Sequence, residues 1–448
     1  MAKSKTKFVC ENCGHSEPKW VGKCPSCGEW NTYIEETVIQ SSVNAIKGSQ
    51  SPIQQVNLRS VEIDEQDRQT TQFHEFDRVL GGGFVNNEVV LISGEPGIGK
   101  STLLLQTANN LAKNSDILYV SGEESAQQIA LRASRLFGGL DKTNDISFIS
   151  HGGLNAIADQ ILSSKPDIVI IDSIQTLFDE DVSGLPGGLA QVRACSSKLI
   201  QLAKQNNFIL VIVGHINKDG RIAGPKVLEH LVDCVLQFEG QKEGEFRVLR
   251  SIKNRFGSTG EVGIFVMVEN GLQDLSKDNS MFSSTNAKKE VGVAKTLVIE
   301  GSRPLIVDIQ ALASKTVFPY PKRVSEGVSL AKLQVLSAII GQIKGINILD
   351  LDIYIKTSSG YSLKNYSYGD LGTIAAMYSS IKNIELDQQL IFLGEVTLNG
   401  NIHVPTNYQK YIKEIARLFP KSTIVGPRYE HKRFVPLSNI RDLPNILK

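Results

Sequence analysis

The stretch Glu88–Gln106 reads EVVLISGEPGIGKSTLLLQ, and it decides the fold of the region around it. An apolar segment, Val89–Ile92, runs into the glycine-rich turn Gly94–Ser101, which has the form G-x4-G-K-S, and a second apolar segment follows. A strand, a loop and a helix in this order form the setting that a phosphate-binding P-loop requires. Glycines let backbone N–H groups close on a phosphate, and the helix N-terminus adds partial positive charge. The stretch therefore predicts a nucleotide site.

The loop and a later strand together predict ATP and Mg²⁺ as cofactors. Lys100 is expected to reach the β- and γ-phosphates, and the Ser101 hydroxyl is expected to ligate Mg²⁺. An apolar strand, Pro166–Asp172, ends in a carboxylate, and Asp172 would hold the same Mg²⁺ through water. The predicted nucleotide-binding residues are Gly94, Glu95, Pro96, Gly97, Ile98, Gly99, Lys100, Ser101 and Thr102.

An acidic pair follows the predicted strand Ile117–Val120, in the segment SGEES at 121–125. A carboxylate at the C-terminal edge of a strand, close to a P-loop, is a candidate base for orienting the attacking water. Glu123 is the preferred residue and Glu124 is the alternative. The pair could instead cap the N-terminus of the next helix, and one glutamate could do each job.

Another predicted strand, Phe208–Gly214, ends at His215. This is where a sensor of the γ-phosphate would lie, and a loop histidine without that role is an equal alternative. Strands and helices alternate along this part of the chain, which predicts an α/β fold with a mostly parallel sheet covered on both faces. Chemistry is then expected at the C-terminal ends of the strands.

The segment after His215 is basic and glycine-rich. Residues 217–226 read NKDGRIAGPK, with three cations and two glycines. A flexible basic loop at the C-terminal edge of a sheet suits a nucleic-acid backbone, so Lys218, Arg221 and Lys226 are candidate DNA contacts. A solvated loop without a ligand is the alternative.

Two further cations follow the predicted strand Phe246–Ile252. Lys253 and Arg255 are two residues apart, so on a strand they would point to the same face. They could reach the γ-phosphate bound to a neighbouring subunit, as finger residues do, and they are also candidate DNA contacts.

Four of the six cysteines fall in the first 27 residues, as two C-x2-C pairs separated by ten residues. Four thiolates at this spacing are typical of a tetrahedral zinc site, so the predicted ligands are Cys10, Cys13, Cys24 and Cys27. A segment of about 30 residues buries too little apolar surface to fold alone, and the metal would supply the missing free energy. Two disulfides are the alternative, which a reducing compartment disfavours.

Composition limits the classes of partner. The 448 residues carry 48 Lys and Arg against 47 Asp and Glu, a net charge of +1, so a surface that binds phosphates must be local. No apolar run approaches the roughly 20 residues of a membrane span, and the basic start, Met1–Lys7, precedes no apolar core of a signal peptide. We expect a cytoplasmic protein without membrane contact.

Composition also predicts the domain boundaries. Segment 35–60 is rich in Ser, Gln and Asn, segment 276–290 is also polar, and both read as linkers. They separate a zinc ribbon at 1–34, an ATPase domain at 61–275 and a C-terminal domain at 291–448.

Four sequence runs go beyond a zinc ribbon and a P-loop. They are the paired C-x2-C motifs, FDRVLGGG at 76–83 leading into GEPGIGKSTL at 94–103, YVSGEES at 119–125, and IAGPKVLEH at 222–230 followed by KNRFG at 253–257. Through these runs the chain resembles the bacterial RadA/Sms family of recombination proteins, and the match extends over nearly its whole length in family order.

The resemblance implies a RecA-like motor that acts as a homo-hexamer in homologous recombination and DNA repair. Such a motor binds single-stranded and branched DNA and drives branch migration together with RecA. The resemblance also implies that Lys253 and Arg255 act on ATP across the subunit interface and couple it to DNA. Segment 217–226 would face DNA in the central channel, although Asn217 stands where the family usually has threonine.

The chain from about Val291 has short strands and amphipathic helices, and we expect an α+β domain there. The run FLGEVTLNG at 392–400 resembles the Lon protease-like domain of the same family. Lon-type proteolysis needs a serine activated by a lysine. Asp370 falls at the serine position, while Lys410 and Lys413 lie near the lysine position without clear register. The domain is therefore expected to be proteolytically inactive.

Two rival functions remain open at this stage. An ATP-dependent protease of the Lon type would degrade casein in an ATP-dependent manner. A signalling ATPase or kinase with the same core would transfer labelled phosphate to protein. The basic loop and the zinc ribbon favour DNA over both.

Overall fold

A computed structural model of the chain describes residues 5–10, 15–26, 28–38, 68–215, 226–240, 246–275, 289–300, 303–358, 363, 367–403, 412–413, 415, 419–427 and 433–447. The chain divides into two compact units, Met1–Asp274 and Leu275–Lys448.

The ribbon at the start of the first unit is a small antiparallel sheet. Its strands are β1 (Lys5–Cys10), β2 (Ser16–Glu17) and β3 (Tyr33–Val38), in the order β2-β1-β3. Because β3 continues to Val38, this sheet extends four residues past the ribbon boundary expected at residue 34. Cys10, Cys24 and Tyr33 are its buried residues among those described.

The rest of the first unit is built on one sheet that contains nine strands within the described residues. A separate pair, β4 (Arg68–Gln69) and β5 (Phe84–Val85), lies outside it. The nine strands are β6 (Val89–Gly94), β7 (Ile117–Ser121), β8 (Ile146–Ser150), β9 (Ile168–Asp172), β10 (Ile209–His215), β11 (Cys234–Glu239), β12 (Phe246–Asn254), β13 (Val262–Val268) and β14 (Gly271–Asp274).

The order of this sheet places the predicted site. The strands run β14-β13-β12-β11-β6-β10-β9-β7-β8, with parallel pairing from β11 to β8 and antiparallel pairing from β11 to β14. The P-loop strand β6 and the Asp172 strand β9 both lie beside β10. Parallel strands end at the same edge, so the residues after β6, β7, β9 and β10 meet there.

Helices cover both faces of the sheet, as predicted. They are α1 (His74–Leu80), α2 (Lys100–Leu111), α3 (Ala126–Phe137), α4 (Leu154–Ser164), α5 (Leu189–Asn206) and α6 (Lys226–Leu231). Strand side chains alternate between two cores. In β6, Val90 and Ile92 join a core with Leu103 of α2, whereas Val89 and Leu91 join a second core that includes residues of α4 and α5. Cys195 and Cys234 are buried core residues.

The second unit is α+β. Its strands are β15 (Glu290–Val291), β16 (Val293–Glu300), β17 (Arg303–Lys315), β18 (Arg323–Glu326), β19 (Leu351–Thr357), β20 (Glu385–Leu386), β21 (Leu390–Phe392), β22 (Glu395–Val396), β23 (Ile402–His403), β24 (Thr423–Gly426) and β25 (Phe434–Pro436). Its helices are α7 (Leu330–Ile340), α8 (Asp370–Lys382) and α9 (Leu443–Ile446). A mixed sheet runs β18-β19-β17-β16-β21-β24-β25 over the described residues. Helix α8 is buried around its whole circumference from Asp370 to Ser379, which makes it a central helix.

The sequence predicts a single strand over residues 389–398, and this prediction is wrong. The chain leaves the sheet after β21, because Gly394 adopts φ +154° and both of its backbone polar groups bond elsewhere. Its N–H donates to the carbonyl of Tyr368, and its carbonyl accepts from Leu371 N–H at the start of α8.

No helix in the part of the chain that the structure describes is long and apolar enough to cross a membrane.

Candidate active site

The P-loop wraps around the amine of its own lysine. Lys100 is the first residue of α2 and is only 3% exposed. Its Nζ donates to the carbonyls of Gly94 at 2.8 Å and Glu95 at 2.9 Å. Glycine is needed at 94 because a Cβ there would lie 2.7 Å from the carbonyl oxygen of Phe238 on β11. Gly99 has φ +118°, a backbone conformation that L side chains rarely adopt.

Three side chains at the ends of other strands extend the series of polar contacts that begins at Lys100. His215, the last residue of β10, places Nδ1 at 3.2 Å from Lys100 Nζ. Its Nε2 lies 3.3 Å from Glu123 Oε1, and the same oxygen accepts a 2.8 Å hydrogen bond from Ser173 Oγ. The ammonium can donate only, so Nδ1 accepts and the Nε2 proton points to Glu123. We call Lys100, His215, Glu123 and Ser173 the strand-end chain.

Asp172 lies at the end of β9, beside this chain. Its Oδ2 accepts a 2.7 Å hydrogen bond from the hydroxyl of Tyr119, which is fully buried on β7. Burial and the neighbouring carboxylate raise the pKa of Tyr119 well above its ordinary value, so its proton stays on the hydroxyl. Asp172 therefore keeps its second oxygen for another ligand. Ser101 and Thr102 are half-buried in the first turn of α2.

The two glutamates of the acidic pair have different surroundings. Glu124 pairs with Arg132 of α3, and its carbonyl accepts from the Ser150 hydroxyl at 3.1 Å. Glu123 faces His215 and Ser173 with about half of its side chain exposed. Neither glutamate caps α3, because its N-cap is Ser125, whose side chain forms a capping box with Gln128.

Of the basic residues predicted to meet DNA, two lie where the structure describes their side chains. Lys253 Nζ donates to the carbonyls of Glu229 and Val232, both at 2.7 Å, at the end of α6. Arg255 donates to Asp233 Oδ1 at 3.1 Å. Lys253 and Arg255 therefore bond to the same short segment at the end of α6, which agrees with the prediction that the two side chains point to one face. Burial and the adjacent Arg255 charge lower the pKa of Lys253. Lys218 and Arg221 lie outside the described residues, as does the side chain of Lys226.

Two of the predicted zinc ligands lie in the described part of the ribbon, Cys10 and Cys24, and both are buried. Cys13 and Cys27 fall outside it. The backbone around the second knuckle is shaped for a ligand. Cys24 N–H donates to the Glu29 carbonyl at 2.8 Å, and Gly28 N–H donates back to the Cys24 carbonyl at 2.9 Å with φ +77°. The Tyr33 hydroxyl lies 3.6 Å from Cys24 Sγ, as an outer-shell donor to a thiolate would. The donor set suits zinc.

Comparison with known proteins places the chain in a family. An AAA domain model matches residues 54–221, and a rubredoxin metal binding domain model matches residues 8–35. DNA repair protein RadA of Bacillus subtilis is 40% identical over 430 residues, which is 95% of this chain and 93% of that protein. The RadA of Rickettsia bellii is 38% identical over 452 residues, 100% of this chain and 99% of that protein. The chain belongs to the RadA family of DNA repair proteins.

The crystal structure of the RadB recombinase is similar over 46% of this chain and 99% of that chain, with 20% identity and a TM-score of 0.37. Membership of the RadA family confirms the predicted fold class of a RecA-like P-loop ATPase with an N-terminal zinc ribbon. Its cofactors are ATP with Mg²⁺ and Zn²⁺. The Lon-like character of the second unit stays a prediction, and so do the roles of the individual site residues.

Sequence reasoning missed two contacts of this site. Ser173 directly follows the strand-end aspartate, so the strand-end rule that selected Asp172 could have included it. Tyr119 lies inside a buried strand, where a tyrosine is normally a core residue, and no local signal marks its bond to a residue 53 positions away.

The second unit has a buried ion pair at the position predicted for a protease serine. Asp370 starts α8 and is buried, and its Oδ1 lies 2.9 Å from Lys332 Nζ of α7. Burial raises the pKa of Asp370 to about 6 from 3.8, and Lys332 opposes that rise. The Val396 N–H donates to Oδ2 at 3.4 Å. Lys413 is exposed, and Lys410 lies outside the described residues.

Replacing Lys332 with methionine is expected to destabilise the second unit by about 3 kcal/mol at pH 8, because a buried carboxylate loses its cation. The loss should shrink at pH 5, since a carboxyl with a pKa of about 6 is then largely protonated and needs no partner. Urea denaturation of the full chain, followed by circular dichroism, measures both values. Lys356→Met is the matched control, because Lys356 pairs with Glu326 at an exposed site. An equal loss at both pH values would contradict the assignment.

The charge of Lys100 should make nucleotide affinity depend on pH. Burial lowers the pKa of Lys100 to about 8 from 10.5, although Asp172, Glu123 and Glu95 act in the opposite direction. Phosphate binds the ammonium form, so above pH 8 binding requires proton uptake, and affinity should fall by up to about tenfold per pH unit. Titration with a fluorescent ATP analogue from pH 7.5 to 9.5 tests this. Lys100→Arg stays charged throughout and should show no such fall, and a pH-independent wild-type affinity would refute the prediction.

Proposed function

We propose that the chain is a DNA-dependent ATPase that uses ATP to move branched DNA during homologous recombination and repair. The observation that carries the proposal is the position of His215. It contacts both Lys100 and Glu123, and it is the residue from which the chain enters the basic segment 217–226. A change at the nucleotide therefore reaches the proposed DNA segment through one residue at the end of β10.

The geometry supports the following roles in hydrolysis. Glu123 accepts the proton of the attacking water, and Ser173 holds its carboxylate in place through a 2.8 Å hydrogen bond. Lys100 binds the β- and γ-phosphate oxygens, for which it exchanges its present carbonyl partners. Ser101 and Asp172 would hold Mg²⁺, which supplies charge neutralisation on the phosphates. His215 loses one partner when Lys100 turns to the γ-phosphate, and this makes it the sensor.

Lys253 and Arg255 would link the site to DNA. Helix α6 begins at Lys226, the last residue of the basic segment, and Lys253 holds its C-terminal carbonyls. In a ring, the same two cations would be offered to the γ-phosphate of the adjacent subunit, so that ATP and α6 compete for Lys253. We propose a homo-hexamer on this ground and on the resemblance to RadA/Sms proteins.

The proposed partners are single-stranded and branched DNA and the RecA recombinase, and the proposed location is the cytoplasm. The proposed DNA contacts are Lys218, Arg221, Lys226, Lys253 and Arg255. In the ribbon, Cys10, Cys13, Cys24 and Cys27 would hold the zinc ion. We further propose that the second unit is a Lon-like platform without peptidase activity. A carboxylate cannot replace serine in acyl transfer, and Lys332 is already occupied by Asp370.

Replacing Glu123 with glutamine should lower kcat for ATP hydrolysis about 100-fold or more, because the general base is lost while the shape of the site remains. Nucleotide binding should persist. Glu124→Gln is the matched control, and since Glu124 only pairs with Arg132, its kcat should stay within a few-fold of wild type. Steady-state phosphate release measures both variants. A large loss of kcat in Glu124→Gln, together with an active Glu123→Gln, would contradict the assignment and make Glu124 the general base.

Lys253→Ala and Arg255→Ala should each abolish most of the stimulation of hydrolysis by DNA and the ATP-driven movement of a three-strand junction. Hydrolysis without DNA should change less, since neither side chain contacts the strand-end chain of its own subunit. Arg250→Ala is the control, because Arg250 lies on the same strand and pairs with Glu239 at the surface. Junction movement at the wild-type rate in both variants would remove these residues from the coupling role.

A further inference from the structure

Both tryptophans of the chain are in the ribbon, and neither belongs to the core formed by its described residues. Trp20 is 52% exposed and Trp30 is 68% exposed. The described core of the ribbon consists of Cys10, Cys24 and Tyr33, with Phe8 and Val21 against it. A tryptophan carries one of the largest apolar surfaces of any side chain and is highly buried on average. Two exposed tryptophans in one metal-dependent element therefore indicate a ligand-binding surface.

The two rings lie close together over one glycine. A Cβ built on Gly22 would lie 3.7 Å from the Trp20 ring and 3.8 Å from the Trp30 ring. The backbone fixes this arrangement, because Lys23 and Trp30 form an antiparallel bridge and Asn31 N–H donates to the Gly22 carbonyl at 2.8 Å. A side chain at residue 22 would therefore contact both rings.

Positive charge accompanies the rings. Lys23 Nζ lies 5.6 Å from the centre of the Trp30 ring, a cation–π distance, and Lys19 is exposed next to Trp20 in sequence. The described acidic residues between 15 and 31 are Glu17, which bonds to His15 at 3.0 Å, and Glu29. Apart from the tryptophans, the fully exposed residues described there are polar, glycine or proline.

We propose that Trp20 and Trp30 form a base-stacking platform for single-stranded DNA, with Lys19 and Lys23 as its phosphate contacts. Open aromatic faces next to cations are the features that bind unpaired strands without sequence preference. A protein-docking hot spot would instead centre on a broader, well-packed apolar patch. The inference rests on the proposed function for the identity of the ligand, and it adds a second DNA site away from the P-loop.

The chain reports on this site directly, because all of its tryptophan emission comes from the ribbon. Unlabelled oligo(dT), titrated into the full zinc-loaded protein at low salt, should quench that emission to saturation. The midpoint should match the one from fluorescence anisotropy of a labelled oligo(dT). Trp20→Phe and Trp30→Phe leave one emitter each and keep a ring, so quenching should persist in both.

Trp20→Ala and Trp30→Ala should each weaken binding of oligo(dT) by about tenfold, because one stacked base is lost. Leu131→Ala is the control, since Leu131 is an equally exposed apolar side chain on α3, outside the ribbon. Metal analysis should find zinc retained, and hydrolysis of ATP without DNA should be unchanged in all variants.

Unchanged emission while anisotropy shows bound DNA would overturn the proposal. So would wild-type DNA affinity in the two alanine variants, or quenching that requires an added RecA-type protein, which would make the surface a protein-docking site. Stimulation of hydrolysis by DNA tests the proposed motor separately. Quenching without stimulation would support the stacking platform and contradict the motor. Stimulation without quenching would support the motor and contradict the platform.

Discussion

The site depends on the hydrogen bonds made by the buried ammonium group of Lys100. Its three donors are directed to the carbonyls of Gly94 and Glu95 and to His215 Nδ1. A buried cation without partners is costly, so these bonds fix the loop, the start of α2 and the end of β10 at once. In the proposed mechanism, phosphate oxygens replace these partners, so nucleotide binding would be an exchange of hydrogen bonds.

In the proposed mechanism, this exchange of hydrogen bonds can be transmitted, because each neighbouring group makes one further hydrogen bond. His215 connects to Glu123, and Glu123 connects to Ser173. On the far side of the basic segment, Lys253 holds the last carbonyls of α6, and Asp233 accepts from Lys204 at 2.6 Å and from Arg255 at 3.1 Å. Charged hydrogen bonds thus hold described residues on either side of the segment proposed to meet DNA.

Local pattern was enough to predict much of the site. The P-loop signature, the buried strand before Asp172 and the strand that ends at His215 are each readable in fewer than ten consecutive residues. Parallel strands bring such ends to one edge, which is why Glu123, His215 and Lys100 could be grouped without coordinates.

The remaining contacts depend on pairings that no local pattern records. The contact of the Lys253 amine with the last carbonyls of α6 was not predicted, because it depends on β12 lying beside β11. Asp370 could be aligned with a serine position, but its partner Lys332 lies on another helix, 38 positions earlier. The early turn at Gly394 was missed because bonds to Tyr368 and Leu371 impose it.

The central claim is that hydrolysis at the strand-end chain is coupled to DNA. Steady-state ATP hydrolysis of the full chain at low salt, with and without single-stranded DNA, tests this claim most directly, and Lys100→Ala serves as the blank. The account predicts clear stimulation by DNA in the wild type and no hydrolysis in the blank under either condition. Hydrolysis that is indifferent to DNA in folded protein, or that survives in Lys100→Ala, would contradict it.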